Sequence, residues 1–452
     1  MIEFTVVSSL LLFSSCLLAA SRASPAGNVT EYAGSPKVRS TVKARQTTSS
    51  KLVFAHFIIG IVSDRTSSSD YDADFQRAQS FGIDAFALDI GTDEFTDTQL
   101  GYAYESAYNN GMSVFISFDF AYWNPTTDAA LIGQTIAQYA SVPGSAFSAV
   151  AGAPNVYFAP NFHPGESDLT VLDGAAMGNN YAPQDGVLVT VTEGDQEYQS
   201  VLSAAQGYIA PVSPWFSTHY GAEVTYSKNF VFPSDLLWYM RWQEILTLQP
   251  PFVEIISWND FGESHYTGPL SSLHTDDTSS QWVNDMQVPH DAFLSMAQPF
   301  IQAYKDGASS PDSYITSDLI VYWYRITSKE LDCDATDTTM TAANNASGLY
   351  FGAGASAFSS FALSRDGEQV MSATSLKVIQ DSCPCGIYNF NSYSGSVPAQ
   401  TYDVLGPDGL ANLMDGLLVA CEPTPSLPVT PPATTVATAT SSAKAAATYP
   451  PV

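Results

Sequence analysis

Positive charge is scarce in this chain. Of 452 residues only 16 are Lys or Arg, against 45 Asp or Glu, and the formal net charge is −29. Nucleic acid and anionic membranes are gripped by clustered Lys and Arg, so the balance argues against both as partners. Charge of either sign is thin, at 13% of residues, about half the usual share, so Ser, Thr, Asn, Gln and Tyr must build the surface. An uncharged polysaccharide fits such a surface. Long apolar runs are missing too. The longest, Val6 to Ala20, has the length of a signal-peptide core and falls short of the ~20 residues of a spanning helix. Small residues follow at Ser21-Arg22-Ala23, although Glu3 and the lack of Lys or Arg make the segment before the run unusual. The reading is a signal peptide over 1–23, a lead-in or propeptide over 24–50, and a secreted protein, extracellular or in a cell wall, without a membrane span.

Cysteine is absent between Cys16 and Cys333. With the signal removed, Cys333, Cys383, Cys385 and Cys421 remain, an even set that suggests two disulfides among three possible connectivities. The pair flanking Pro384 is too tight to bridge itself, so each half would pair with Cys333 or Cys421; a zinc site is the competing reading. The six His are dispersed without ligand spacing, and no Gly-rich phosphate loop follows the first apolar run. No metal and no cofactor are expected.

What is present is an alternation. Strand-like runs at 52–60, 84–91, 113–120, 156–162, 207–216 and 252–262 are separated by helix-like stretches at 74–82, 98–110, 130–140 and 235–248, with an ambiguous run at 169–177. Repeated βα units over 51–310 indicate a parallel sheet, read as α/β and as a (β/α)8 TIM-type barrel, with an open doubly wound sheet as the alternative. One spacing is short. Only 36 residues lie between Asp119 and Val156, room for a single βα return, so one strand unit is missing. The runs end in polar and aromatic residues: His56, Asp89, Asp93, Asp119, Asn161, Trp215, and then Trp258 through Tyr266. In a barrel these ends share one mouth, and carboxylates ringed by aromatics suit sugars. Asp260 and Glu263 stand three apart on one loop, the kind of pair that glycoside hydrolysis needs as proton donor and as base or nucleophile.

The runs FVEIISWNDFGESHYTGPL (252–270), VFAHF (53–57), GIDAFALDIGTDEFTDTQLGYAYESA (82–107), VFISFDF (114–120), YFAPNF (157–162) and PVSPWFSTHYG (211–221) resemble glycoside hydrolase family 71, the fungal α-1,3-glucanases or mutanases. The resemblance extends over about residues 51–400. It implies a (β/α)8 catalytic domain followed by β-rich modules, and endo-hydrolysis of α-1,3-glucan with inversion. The family's catalytic Asp and Glu fall on Asp260 and Glu263, taken here as acid and base in that order. Asp93 and Asp119 become supporting acids. His56, Asn161, Trp215, Trp258, Asn259, His265 and Tyr266 become substrate-lining residues. A monomer acting on α-1,3-glucan is expected.

The chain departs from the family pattern at three places. The fourth strand is reduced to a remnant at 147–152, the segment at 171–177 stops where a Trp-rich stretch should continue, and the region after Asn344 skips to 353–363. Losing a strand unit exposes sheet edges, which keeps a second reading open: a degenerate glucan-binding wall protein. Residues 311–421 read as a β-rich domain and 422–452 as a Thr/Ala/Pro/Ser-rich tail. Asn28 and Asn345 head N-glycosylation sequons.

Overall fold

The structure, a computed structural model, describes residues 51–146, 159, 161, 174–176, 192–203, 206–218, 230–231, 234, 236–275, 288–328, 331, 360–365, 368–374 and 388–397. The expected signal peptide, lead-in and tail, all five cysteines and both sequons lie outside them, as do the strand-like run at 156–162 (save 159 and 161) and the remnant at 147–152. Among the described residues no helix is long and apolar enough to cross a membrane.

The elements run β1 (Leu52–Ile58), α1 (Asp72–Ser80), β2 (Ala85–Ile90), α2 (Thr96–Asn110), β3 (Ser113–Phe118) and α3 (Ala129–Tyr139). Then follow β4 (Gly174–Ala176), α4 (Thr192–Val201), β5 (Gly207–Val212), the short antiparallel pair β6 (Ser217–Thr218) and β7 (Phe230–Val231), α5 (Leu237–Leu248), β8 (Phe252–Ile255) and α6 (Asp291–Asp306). The helices form where apolar residues recur at helical spacing. In α2 the buried set Thr96, Gln99, Leu100, Ala103, Tyr104, Ser106 and Ala107 makes one stripe, and Gly111 ends the helix in the left-handed conformation that a residue without Cβ adopts freely.

Six strands make one parallel sheet in the order β3-β2-β1-β8-β5-β4. Successive strands of the sheet lie side by side in two runs, β1-β2-β3 and β4-β5-β8, and β8 returns to lie against β1. A doubly wound sheet reverses direction partway; this order runs round once. The protein is therefore α/β with a parallel sheet in cyclic order. Among the described residues the arc between β3 and β4 stays open, apart from one parallel bridge of Val114 with Ser145, closed by a 2.9 Å bond from the Val114 amide to the Gly144 carbonyl. That bridge begins where the fourth strand is expected.

The two faces of the sheet differ. Val53, Ala55 and Phe57 of β1 face the helices, where Phe57 meets Tyr71 and Phe86 meets Phe75. The other face carries Phe54, His56 and Ile58, and the strand register extends it through Ala85, Ala87 and Asp89, through Ser113, Phe115 and Ser117, and through Phe252 and Glu254. Its lower layer is apolar: Phe54 packs on Phe115 at 5.0 Å and on Phe252 at 5.6 Å. The layer above it, toward the C-terminal strand ends, is polar.

Two elements differ from expectation. The run 252–262 is strand only to Ile255, because from Ser257 on the backbone bonds its own loop: Ser257 N–H reaches His265 O and Thr267 N–H reaches Ser257 O, each at 2.9 Å. The run 207–216 likewise is strand only to Val212. Helices α4 and α6 have no counterpart in the sequence reading.

The C-terminal part is β-rich as far as it is described. β9 (Ile320–Arg325) pairs antiparallel with β12 (Ser392–Val397), and β10 (Ser360–Arg365) with β11 (Glu368–Thr374). The β9–β12 ribbon packs onto the loop after β8: Tyr324, Ile326 and Tyr393 share one cluster with Phe261, Tyr266 and Leu270. His290 joins the two parts. Its Nε2 lies 2.9 Å from Ser392 O and 3.0 Å from the Ser392 hydroxyl, and its Nδ1 lies 3.1 Å from Tyr266 O. A neutral ring carries one N–H and donates to one of these carbonyls; a charged ring would donate to both.

Burial lowers the His290 pKa to about 3, against two backbone bonds that raise it. The unfolded chain therefore binds a proton below about 6.5 that the folded chain refuses. Stability is full above that pH and falls as pH drops toward 3, by about 1.4 kcal/mol per unit from this group. His290→Gln is expected to flatten the urea-unfolding stability profile between these limits; an unchanged slope would contradict the assignment.

Candidate active site

The loop after β8 carries the acid pair, and its shape is set by buried bonds. Asn259 uses its whole side-chain amide on β1, accepting from Ile58 N–H at 2.7 Å and donating to Ile58 O at 3.0 Å. Trp258 N–H donates to His56 O at 2.7 Å, and the Trp258 indole donates to Asp74 Oδ1 at 2.9 Å. Asp74 in turn accepts from Arg65 Nη2 and from the Ser272 hydroxyl. Gly268 packs flat under Trp258: a Cβ there would stand 2.6 Å from Trp258 O and 2.7 Å from its indole nitrogen. Gly268→Ala must push Trp258 off Asp74, at a cost of ~1–3 kcal/mol in stability and with a fall in activity. Thermal unfolding beside a rate assay checks this, and an unchanged melting temperature would refute it.

On this base Asp260 and Glu263 face each other, both half-buried. Asp260 N–H donates to Ser257 Oγ at 2.8 Å, and Glu263 N–H donates to Asp260 Oδ1 at 3.0 Å. His265 Nε2 lies 2.7 Å from Glu263 Oε2 and 3.3 Å from Asp260 Oδ2. The ring is buried and stacked on Phe216 at 5.6 Å, and among the described residues its Nδ1 has no hydrogen-bond partner. With a hydrogen on Nε2 the ring can donate to the carboxylates it touches. These three groups sit within 4.8 Å of one another, a donor set a divalent cation could use. The 2.7 Å Nε2–Oε2 contact is a hydrogen-bond distance; two atoms bound to one ion at ~2.1 Å stand ~3.4 Å apart at a tetrahedral angle. The cluster is a hydrogen-bonded dyad with a shared donor.

Below the dyad, three strands bring together a second charged group. His56 of β1 reaches Glu254 of β8 with Nδ1 at 3.1 Å and Asp89 of β2 with Nε2 at 3.7 Å. Burial alone would lower the His56 pKa, but Asp89 and Glu254 outweigh it and raise it well above the usual value.

The other residues read from the sequence distribute as follows. His265 joins the dyad, and His56 lies beneath it. Trp258, Asn259, Tyr266 and Trp215 are buried behind the site, with polar atoms bound to protein: the Tyr266 hydroxyl to Val288 O, the Trp215 indole to Phe390 O at 3.1 Å. Asp93 is exposed on the loop between β2 and α2, near Gly60 and Gly91 just past the ends of β1 and β2. Asp119 is half-buried at the end of β3, where its Oδ1 accepts from Ala121 N–H, and Asn161 is exposed. Sequence reasoning passed over Asp89, as a site residue, and Glu254. Their signal was a charge inside an otherwise apolar strand run, AFALDI and FVEI.

The chain matches the model of glycosyl hydrolase family 71 over residues 49–148 and 144–357. It belongs to glycosyl hydrolase family 71. The two matched stretches meet at 144–148, where the sequence falls short of a fourth strand. A mutanase of Penicillium rubens is 38% identical over 416 residues, covering 76% of this chain and 88% of the relative. A glucan endo-1,3-alpha-glucosidase of Schizosaccharomyces pombe is 29% identical over 422 residues (77% and 95%), and that organism's ascus wall endo-1,3-alpha-glucanase is 27% identical over 322 residues (62% and 72%). Since 76% of 452 is about 344 residues, about 70 of the 416 positions aligned with the first relative face gaps in this chain. The internal shortening is thus present against a known relative. Among solved structures, an endo-alpha-mannosidase of family 99 from Bacteroides thetaiotaomicron overlays with a TM-score of 0.40 at 9% identity, covering 57% of this chain and 98% of that one.

Proposed function

We propose that this family 71 chain is a secreted hydrolase of α-1,3-glucan, with Asp260 as general acid and Glu263 as general base. The observation that carries the reading is the Asp260–Glu263 dyad with His265 between its carboxylates, held half-open on a hydrogen-bonded loop at the C-terminal strand ends. The names of the relatives support the substrate: a mutanase and two endo-1,3-alpha-glucanases. The cyclic strand order supports a (β/α) barrel short of one unit, whose loops form a single mouth.

Inversion is part of the proposal and makes a demand on the site. An inverting pair keeps its carboxyls roughly 6.5–9.5 Å apart to admit water; here one oxygen of each lies within 4.8 Å of the other. Sugar entry must therefore swing one carboxylate off His265. The test is reducing-sugar release from insoluble α-1,3-glucan, with α-1,4- and β-1,3-glucan as controls and the product anomer followed by proton NMR. Release from α-1,3-glucan alone, as the β-anomer, supports the reading; an initial α-anomer overturns inversion. A folded protein that binds the glucan and releases nothing supports the second reading, a degenerate glucan-binding wall protein, which the roughly 70 gapped positions favour.

A further inference from the structure

The face of the sheet beneath the dyad changes character within one layer. Phe54, Phe115 and Phe252 fill it below, while His56, Asp89 and Glu254 occupy it above, from three adjacent strands. An ion network that served only stability could be replaced by the same aromatic filling, since buried ion pairs give little net gain over packed apolar groups. These three side chains are also open to solvent, His56 by 22%, Asp89 by 16% and Glu254 by 12%. His56 takes one oxygen from each carboxylate, Asp89 Oδ2 and Glu254 Oε1. Among the described residues the other oxygens, Asp89 Oδ1 and Glu254 Oε2, accept no hydrogen bond and are not sealed from solvent.

The group is joined to the catalytic loop. The backbone of His56 accepts from Trp258 N–H, and Ile58, two residues on, holds the Asn259 side chain next to Asp260. Through these bonds β1, whose His56 holds the two carboxylates with free acceptors, is tied directly to the loop that carries Asp260 and Glu263. The acceptors suit hydroxyl donors: a pyranose offers adjacent hydroxyls, whereas an anionic or phosphorylated sugar would be repelled by the two carboxylates.

We propose that Asp89 and Glu254, held by His56 between them, form the floor subsite that grips the hydroxyls of one neutral pyranose unit of the substrate. Asp89 and Glu254 are the contacting residues; His56 is a positioning residue that keeps both carboxylates in place. The subsite deepens the hydrolase reading and rests on it.

The test uses the full chain carrying Glu263→Gln, to stop turnover, and a soluble α-1,3-linked gluco-oligosaccharide as probe. Calorimetry should show binding to this chain, and a Kd about tenfold or more weaker when Asp89→Asn or Glu254→Gln is added, as for loss of a charged hydrogen bond. Melting temperatures report folding. A folded double variant whose Kd stays within about twofold overturns the subsite while leaving the catalytic pair intact. If either addition prevents folding, exchange of the His56 ring C2 hydrogen in the Glu263→Gln chain replaces it. Slowing on oligosaccharide addition supports the subsite, and no change overturns it. Residual hydrolysis by Glu263→Gln at the wild-type rate would instead sink the catalytic reading and leave the binding result standing. Absence of any oligosaccharide binding would overturn both.

Discussion

Asp260→Asn and Glu263→Gln are each expected to lower hydrolysis of α-1,3-glucan by about two to four orders of magnitude, the range that a positioned acid or base supplies. Both substitutions keep shape and most hydrogen bonds. The amide of Asp260→Asn retains an oxygen that can accept from Glu263 N–H, and the amide of Glu263→Gln one that can accept from His265, so the melting temperature should hold. The two variants should differ in one respect. An aryl glucoside with a good leaving group needs little protonation, so it should recover much of the rate in Asp260→Asn and none in Glu263→Gln. Recovery in the opposite variant would exchange the two roles. A loss of less than about tenfold in either, measured on folded protein, would remove that residue from the chemistry.

Arg241→Ala should destabilise the fold by about 3–5 kcal/mol, the usual result of stripping one partner from a buried pair. Arg241, on α5, is fully buried. It bonds both Asp195 oxygens, at 2.5 and 2.8 Å, and donates Nε to Pro211 O on β5 at 2.8 Å. Asp195, on α4, also accepts from the Tyr208 hydroxyl at 2.5 Å. One guanidinium thus ties two helices to β5, the neighbour of β8. Removing it leaves a carboxylate with no cation in a closed interior, which costs more than the pair contributes. The paired replacement Arg241→Met with Asp195→Leu should recover most of the loss, because neither charge then stays buried alone. Urea unfolding of the three proteins decides; a single-variant loss below about 1 kcal/mol would refute the buried-pair account.

The family and the pair of neighbouring acids were both legible because they are local. W-N-D-F-G-E-S-H-Y holds both acids of the proposed pair within nine consecutive positions, and no folding is needed to see two carboxylates three residues apart. The repeated runs also sufficed for β1, β2, β3, α2 and α5, whose periodicity matches the face each buries. The short spacing after β3 was readable too, and the break of the family match at 144–148 falls at that shortfall.

The use of each aromatic and His was not legible. Trp258, Tyr266 and Trp215 read as substrate-lining residues in the sequence; in the fold they are buried and their N–H and O–H groups bond protein. Whether an amphipathic ring faces substrate or core depends on what other segments lay over it. Here those are α1, through Asp74, and the segments at 288 and 390.

The sequence by itself determined the family, the parallel βα character of the chain and the nearness of Asp260 to Glu263, and its low charge pointed to an uncharged partner, since composition and contiguous motifs carry these. The tertiary structure alone decided that His265 serves both acids and that His56, Asp89 and Glu254 meet. Those groups come from strands up to about 200 residues apart, and only the register of β2, β1 and β8 brings them within reach.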